Sequence, residues 1–500
     1  MSRAVSPPPS GGARAMTPGA DGRAAWIEDV TALLEAPREL AVIYVAKFIE
    51  MLSYFSMVWT LTLWLSKDWG MSDVEAGWWS GTFSTVITVL TFFVGFVADS
   101  IGFREVLIFG AVANCLSRGV MFLAPSRVVA IVGLMALTAG TAAGAPVLSV
   151  AIRRYTNRRN RKYGFALYYV IMNAGALVAG FFVDWVRGWF RSADGKTLVT
   201  HVVSLPLVGP REMSAYKAVF GLGFLMYIVS VAVLSLLRKG TDVERDEVTA
   251  VLASSSPGAP APVDAEKKNP FAIAADVVRQ TAFWRFTLFI GLLLMVRLIF
   301  QHINFTWPKY ASREFGESFP WGKYMSINPL LIMFFVPVAT VLTRRRSPFA
   351  CILLGSFVTA GSVFFLCLPP GFVQIGGWGR LEWTNTAFLT IESVGEALWS
   401  PRFMEYAATI APRGRESSYM GLSALPTFIA KMIVGPMSGY LLRAYCPETG
   451  PRHPQTMWFI IGAVTLAGPV LVVMLRRFIV ADATPSPSTA ASSSSAALDG

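Results

Sequence analysis

Three apolar stretches of this chain are interrupted by side chains that can carry charge or exchange protons. K-F-I-E-M-L-S-Y-F-S-M (47 to 57) holds Lys47 and Glu50. Spaced i to i+3, they share one face of a helix and can pair directly. L-L-M-V-R-L-I-F-Q-H-I-N (293 to 304) holds Arg297, Gln301 and His302, the first two one turn apart and able to line a common cavity. I-E-S-V-G-E-A (391 to 397) places Glu392 and Glu396 one turn apart. A carboxylate in mid-membrane costs about 2.5 to 3.5 kcal/mol on the insertion scale, so it must border a wet cavity, where it titrates or binds a cation, or else pair with a buried base. For Glu396 the available bases are Arg297 and Lys431; Arg118 is a further embedded cation. His302 has a range suited to proton relay, although near a helix end it also reads as a hydrated interfacial side chain.

Covalent and metal chemistry find no such footing. The chain has three histidines and no H-E-x-x-H spacing, and no loop carries a G-x-x-x-x-G-K-[ST] phosphate cradle. Its four cysteines, Cys115, Cys351, Cys367 and Cys446, lack C-x-x-C spacing and read as packing residues. No cofactor or metal is expected, and a membrane-embedded enzyme is disfavoured.

The elements that position these residues follow from composition. Of 500 residues, 54% are hydrophobic and 15% charged, with mean hydropathy +0.52, whereas soluble chains carry about 25% charged residues. The apolar residues form runs of membrane-crossing length, which predicts an all-α membrane protein of about twelve spans. Six fit within 39–237 and six within 283–477. Before them, 1–38 is a low-complexity arm with a short amphipathic piece, A-A-W-I-E-D-V-T-A-L-L-E; between them, 238–282 is a polar linker too poor in apolar surface to fold alone. The tail 478–500 is expected to be disordered. The arm lacks the apolar core of a cleaved signal peptide.

The net charge of +12 is concentrated in loops between spans, at 153–162, 344–346, 413–415 and the pair Arg476 and Arg477. This positive-inside pattern places both termini in the cytoplasm of a cell-membrane protein and argues against nucleic-acid binding. The stretch 188–214 is expected to be a long outer loop.

Six spans, a linker and six spans is the layout of the major facilitator superfamily. G-F-V-A-D-S-I-G-F-R (95 to 104) resembles its signature G-x-x-x-D-R-x-G-R-R/K. The resemblance implies two bundles rocking around a site near the midplane, with Gly95 for close helix approach, Asp99 as a charge latch and Gly102 for the turn. Ser100 and Phe103 replace the usual basic residues.

Four further stretches resemble the proton-dependent oligopeptide transporter family. F-A-L-Y-Y-V-I-M-N-A-G-A-L (165 to 177) carries Asn173 and Gly175, which also read as helix-packing residues. S-I-N-P-L-L-I-M-F-F-V-P (326 to 337) carries Asn328 and the helix-bending Pro329 and Pro337. G-E-A-L-W-S-P (395 to 401), ending at Pro401 and followed by A-P at 411 and 412, is similar to the family's Gly-Glu … Ser-Pro segment; the match implies that Glu396 meets the substrate's amino group. I-E-M-L-S-Y-F-S-M (49 to 57) is similar to the motif E-x-x-E-R-F-x-Y-Y, with Glu50 as its second Glu and Tyr54 within it.

The departures are specific. Lys47 stands where the first Glu would be, Met51 where the Arg would be, Ala145 at a fourth-helix Lys position and Val58 at a first-helix cation. Lys47 and Glu50 then read as a proton-coupling motif turned into a fixed ion pair, or as a purely structural pair. A peptide carboxylate loses charge-assisted bonds worth about 1.5 to 3 kcal/mol each unless Lys47 or Arg297 substitutes.

The resemblance implies a monomeric, proton-coupled transporter of a small polar solute, peptide-like or amine-bearing, with Glu396, Asn328, Tyr54, Arg297 and Gln301 at the substrate and Glu50, Lys47, Glu392 and Glu396 in coupling. An uncoupled facilitator, an exporter of a non-peptide solute, and a non-transporting sensor on the same fold stay open.

Overall fold

The computed structural model describes residues 36–157, 161–205, 209–238, 279, 281–368, 380–410 and 425–480. The arm up to 35, most of the linker, the A-P at 411 and 412 and the tail from 481 lie outside the described residues, as do the packing around Gly95 and the side chains of Asp99 and Ala145.

The first bundle consists of α1 (Arg38–Lys67), α2 (Asp73–Ile101), α3 (Phe103–Leu123), α4 (Arg127–Tyr155), α5 (Arg161–Gly188) and α6 (Ala215–Ser235). Local chemistry sets several of their ends. Ser72 and Glu75 form a reciprocal capping box at the start of α2. Ser126 and Ser214 accept from the backbone N–H groups of Val129 and Lys217 at the starts of α4 and α6. Between α2 and α3 the chain turns in one residue, Gly102, at φ 101°, a conformation that a side chain rarely adopts.

In the second bundle two spans are broken into pieces. α7 (Thr281–Phe305) is followed at once by α8 (Trp307–Phe315), and α9 (Trp321–Met325) leads into α10 (Ile327–Leu342). α11 (Pro348–Ser362) tightens into a 3-10 turn at Val363–Cys367; α12 (Arg380–Ile410), α13 (Leu425–Tyr445), α14 (Pro454–Met474) and the short α15 (Arg476–Val480) complete it. Among the described residues, nine helical stretches are long and apolar enough to cross a bilayer; α2, α12 and α13 bring the crossings to twelve. Exposed Phe109, Leu116, Val128, Trp185 and Leu342 suit surfaces that face lipid.

The expected loop 188–214 contains a pair of strands. β1 (His201–Leu205) pairs antiparallel with β2 (Gly209–Met213), His201 opposite Met213 and Leu205 opposite Gly209. A segment clear of the bilayer can satisfy its backbone through a hairpin as well as through water. Cys351 and Cys446 are buried, Cys115 and Cys367 half-buried, all as free thiols.

Candidate functional site

Between the two bundles lies a chamber of about 220 Å³, lined from α1 by Met51, Phe55 and Trp59, from α5 by Met172, Asn173 and Ala176, and from α7 by Phe300, Ile303 and Asn304. The wall from α9, α10 and α12 is Met325, Asn328, Pro329, Leu389, Glu392 and Glu396. That is below the range of about 300 to 1,000 Å³ common for pockets that take drug-sized ligands, so it suits a small solute.

Asn328 organises the acidic side. Its Nδ2 donates to Glu396 Oε2 at 2.9 Å, Glu392 Oε2 at 3.0 Å and Ser393 Oγ at 3.2 Å. Glu392 and Glu396 are thus held against one amide, with Glu392 fully buried and its Oε1 without a protein partner. Pro329 follows Asn328 in the first turn of α10, where a missing N–H costs little. Pro337 and Pro401 lie within α10 and α12. Opposite, the Trp59 indole N–H donates 3.0 Å to Asn304 Oδ1, tying the bundles together across the chamber.

The predicted site residues are not all brought together. Arg297 Cζ lies over Trp399, 4.5 Å from the ring centroid, and 5.6 Å from that of Phe403. Its charge acts on Glu396, but neither Arg297 nor Gln301 is part of the chamber lining. Lys431 is not the partner of Glu396: its Nζ donates 3.3 Å to Thr88 Oγ1 across the bundle boundary. His302 is not hydrated at an interface but fully buried, its Nδ1 2.7 Å from Thr306 Oγ1. Thr306, which meets the ring, is the single residue between α7 and α8, so the chain runs on as helix here and does not end in a loop.

Lys47 and Glu50 form a separate cluster inside the first bundle. Lys47 Nζ donates 3.1 Å to Glu50 Oε2 with both residues buried, and the ammonium lies 5.2 Å from the Tyr168 ring centroid. Gly144 of α4 makes room, since a Cβ there would collide with Glu50 Oε1. Tyr54 lies within electrostatic reach of Glu50 and outside the chamber lining. Arg118 donates 3.2 Å to the Ser53 carbonyl and sits 5.2 Å from the Tyr227 ring centroid. Gly175 lets α5 press on α1: a Cβ there would stand 2.7 Å from Met51 Cβ. Asn173 lines the chamber and donates to the Tyr169 carbonyl at 2.9 Å.

At the membrane face where α1 ends, the bundles are sealed by charges that the sequence reading did not single out. Asp73 accepts from Lys309 at 2.8 Å and from Arg313 at 2.7 Å. Lys67 meets Glu317 at 2.6 Å and also contacts Glu448. Asp184 accepts from the backbone N–H groups of Gly322 and Lys323 and pairs with Arg187 at 3.0 Å. Burial would raise the Asp73 carboxyl, but Lys309 and Arg313 outweigh it and hold it below the usual carboxylate range. Lys309 responds in the opposite sense: its burial outweighs the pull of Asp73 and brings it down to about 8. The two are compatible, since Asp73 is shared by two cations while Lys309 is the more deeply enclosed partner.

Backbones also meet at this face. A Cβ on Gly435 would strike Gly81 Cα, and one on Gly180 would strike the Gly322 carbonyl. Among the described residues, the polar links between bundles run from mid-membrane, at Thr88 to Lys431 and Trp59 to Asn304, to this face. The signal available beforehand was the pair Lys309 and Arg313, one turn apart just past an apolar run.

The Major Facilitator Superfamily family model matches residues 43–423. Among solved structures, a POT family transporter in complex with 5-aminolevulinic acid is 16% identical over 89% of this chain and 97% of that one, with a TM-score of 0.64. Peptide transporter POT in complex with sulfate is 17% identical over 89% and 95%, at 0.65. The POT family transporter PepTSo is 15% identical over 89% and 99%, also at 0.65. No curated protein matches. With one family model over most of its length and the helical layout of these transporter structures, the chain belongs to the major facilitator superfamily.

Proposed function

We propose that this membrane transporter moves a small polar solute, peptide-like or amine-bearing, by alternating access driven by the proton gradient. The face sealed by Asp73, Lys309 and Arg313 is the outer one. Its support is the even number of crossings together with the basic loops at 153–162 and 344–346, which the positive-inside rule puts in the cytoplasm with both termini. The state described is then closed outward.

One observation carries the reading: Glu392 and Glu396, bridged by Asn328, on the wall of a chamber between two bundles. Such a pair can hold a proton or a solute ammonium, and each occupant changes the charge that must cross. Membrane potential contributes about 2.3 kcal/mol per charge per 100 mV. In proteoliposomes, an imposed inward-directed proton gradient is expected to accelerate dipeptide or amine uptake, and Glu396→Gln to abolish the acceleration. Equal rates with and without the gradient would remove proton coupling.

A second reading draws on the Lys47 to Glu50 pair. A charge pair this enclosed is costly to separate, which favours an uncoupled facilitator in which the first bundle carries no proton. Gradient-independent flux abolished by Glu396→Gln would select it, while saturable solute binding with no flux would select a sensor.

A further inference from the structure

We infer that the chamber selects an organic monocation, an ammonium group carried on an aromatic or apolar body, over a zwitterion. The inference rests on the proposed function only in taking the chamber as the solute site.

Charge comes first. Glu392 and Glu396 are the titratable side chains of the lining. The cation whose charge acts on Glu396 is Arg297, which lies outside the lining with its guanidinium over the Trp399 ring. Two carboxylates held on one amide do not both stay ionised unless each has a cation; Arg297 acts on Glu396 alone, so the pair has room for one further positive charge, a proton or the ammonium of the solute. The other embedded cations of the described residues have partners elsewhere. Lys47 is on Glu50, Arg118 on the Ser53 carbonyl, and Lys431 on Thr88. Among the described residues of the lining, a solute carboxylate therefore meets no cation, only the amides of Asn173, Asn304 and Asn328 and the indole N–H of Trp59, with Asn328 already engaged by both glutamates and Trp59 by Asn304. Entering this chamber, it would give up hydration without gaining a charged partner.

The body of the solute follows from the remaining wall. Phe55, Trp59 and Phe300 present rings, and Met51, Met172 and Met325 present flexible thioethers that adapt to irregular apolar shapes. Aromatic faces attract cations within about 6 Å of the ring centroid. Trp59 is fixed for this by its bond to Asn304. The wall thus offers attraction to a cation and to an apolar group, and repulsion to an anion.

Binding of 2-phenylethylamine, phenylalanine and N-acetyl-2-phenylethylamine to the purified full-length protein, by calorimetry and by thermal shift, tests this. The amine is expected to bind at least tenfold more tightly than phenylalanine, which differs by one carboxylate, and the uncharged acetyl compound to bind no better than phenylalanine. Glu396→Gln and Glu392→Gln are each expected to erase the tenfold preference; a monodisperse elution profile and an unliganded melting transition show whether each variant is folded, and either folded variant suffices. Phenylalanine or Ala-Phe binding as tightly as the amine, or no binding of the amine at all, overturns the inference. Gradient-driven dipeptide uptake alongside such a result would leave the transport reading standing. Amine binding without flux would remove that reading and leave the inference.

Discussion

Replacing Asp73 with Asn tests whether the sealed face is a gate held by charge. In the wild type the carboxylate accepts from Lys309 and Arg313, whose side chains are only 2% and 10% exposed. Asp73→Asn keeps the size and one carbonyl oxygen but leaves two enclosed cations without their anion. Truncating one partner of a buried charge pair costs about 2 to 5 kcal/mol, and the cost falls on the sealed state alone, because water solvates all three groups once the face opens. At about 1.4 kcal/mol per decade, the sealed-to-open ratio is expected to fall by about 30-fold to a few thousand-fold. A native reporter lies in the same seal. Cys446 is fully buried, its carbonyl accepts from Arg313 at 2.7 Å, and burial pushes its thiol up to about 12. With Cys115, Cys351 and Cys367 replaced by Ser, labelling of Cys446 by a charged, externally added maleimide reads the open fraction. Glu75→Gln is the control: Glu75 pairs with Arg127 inside the first bundle and should leave the rate unchanged. If Asp73→Asn labels at the wild-type rate, the charges do not hold the bundles together and the gate argument fails.

Three further outcomes follow from the same geometry. Lys309 titrates near 8 when enclosed and about 10.4 when solvated; between those values the open state binds more protons, so by linkage raising the pH from 8 to 10 favours sealing. Energy transfer between labels on Ala193→Cys and Thr449→Cys should then report a shorter mean distance at pH 10 than at pH 8, and a longer one would contradict the assignment. Gly435→Val places a side chain against Gly81 at a backbone contact, so it is expected to prevent sealing, speed Cys446 labelling and slow transport; normal labelling would mean that α2 and α13 can separate there without opening the face. Lys47→Met strands Glu50 in the first bundle at a cost of about 3 to 5 kcal/mol, seen as a lowered melting temperature, while Lys47→Met with Glu50→Leu should recover most of it; no recovery would show that the pair contributes more than mutual neutralisation.

The spans and the acidic wall were legible because hydrocarbon penalises charge so heavily that Glu392 and Glu396 stand out against their neighbours. Asn328 was found through its Asn-Pro setting, and the structure supplies what it touches. Arg297 shows the limit of spacing: the i to i+4 rule fixes a helix face, but the long side chain turned to Trp399 instead of the chamber. Phe55, Trp59, Phe300 and Met325 could not be separated by residue type from the many apolar residues that pack or face lipid. The seal was missed for a related reason, since Asp73, Lys67, Glu317 and Glu448 sit at helix ends, where charge is ordinary. Pro308 and Gly316 bracket α8 and Pro320 precedes α9, so breaks in those spans were written in the chain, yet only folding shows that they bring Lys309 to Asp73.

The composition of the seal bears on why it can open. Where α2 meets α13, and α5 meets α9, glycine lets backbone lie on backbone, so few interlocked side chains must change rotamer when the surfaces part. The ion pairs around them exchange one polar environment for another, because water at the opening face replaces much of what Asp73, Lys309 and Lys67 lose. An interface of large apolar side chains would hold more tightly and expose more oil on separating. At mid-membrane one link joins neutral groups, Trp59 to Asn304, and the other is donated by Lys431 Nζ to the Thr88 hydroxyl. The charges proposed to follow solute or proton at the chamber, Glu392 and Glu396, belong to the second bundle. A change in their occupancy can alter the balance between open and sealed states only through what they touch across the chamber. On the proposed cycle, Tyr169 of α5, which lies within electrostatic reach of Glu396, is a place where binding in one bundle is felt by the other.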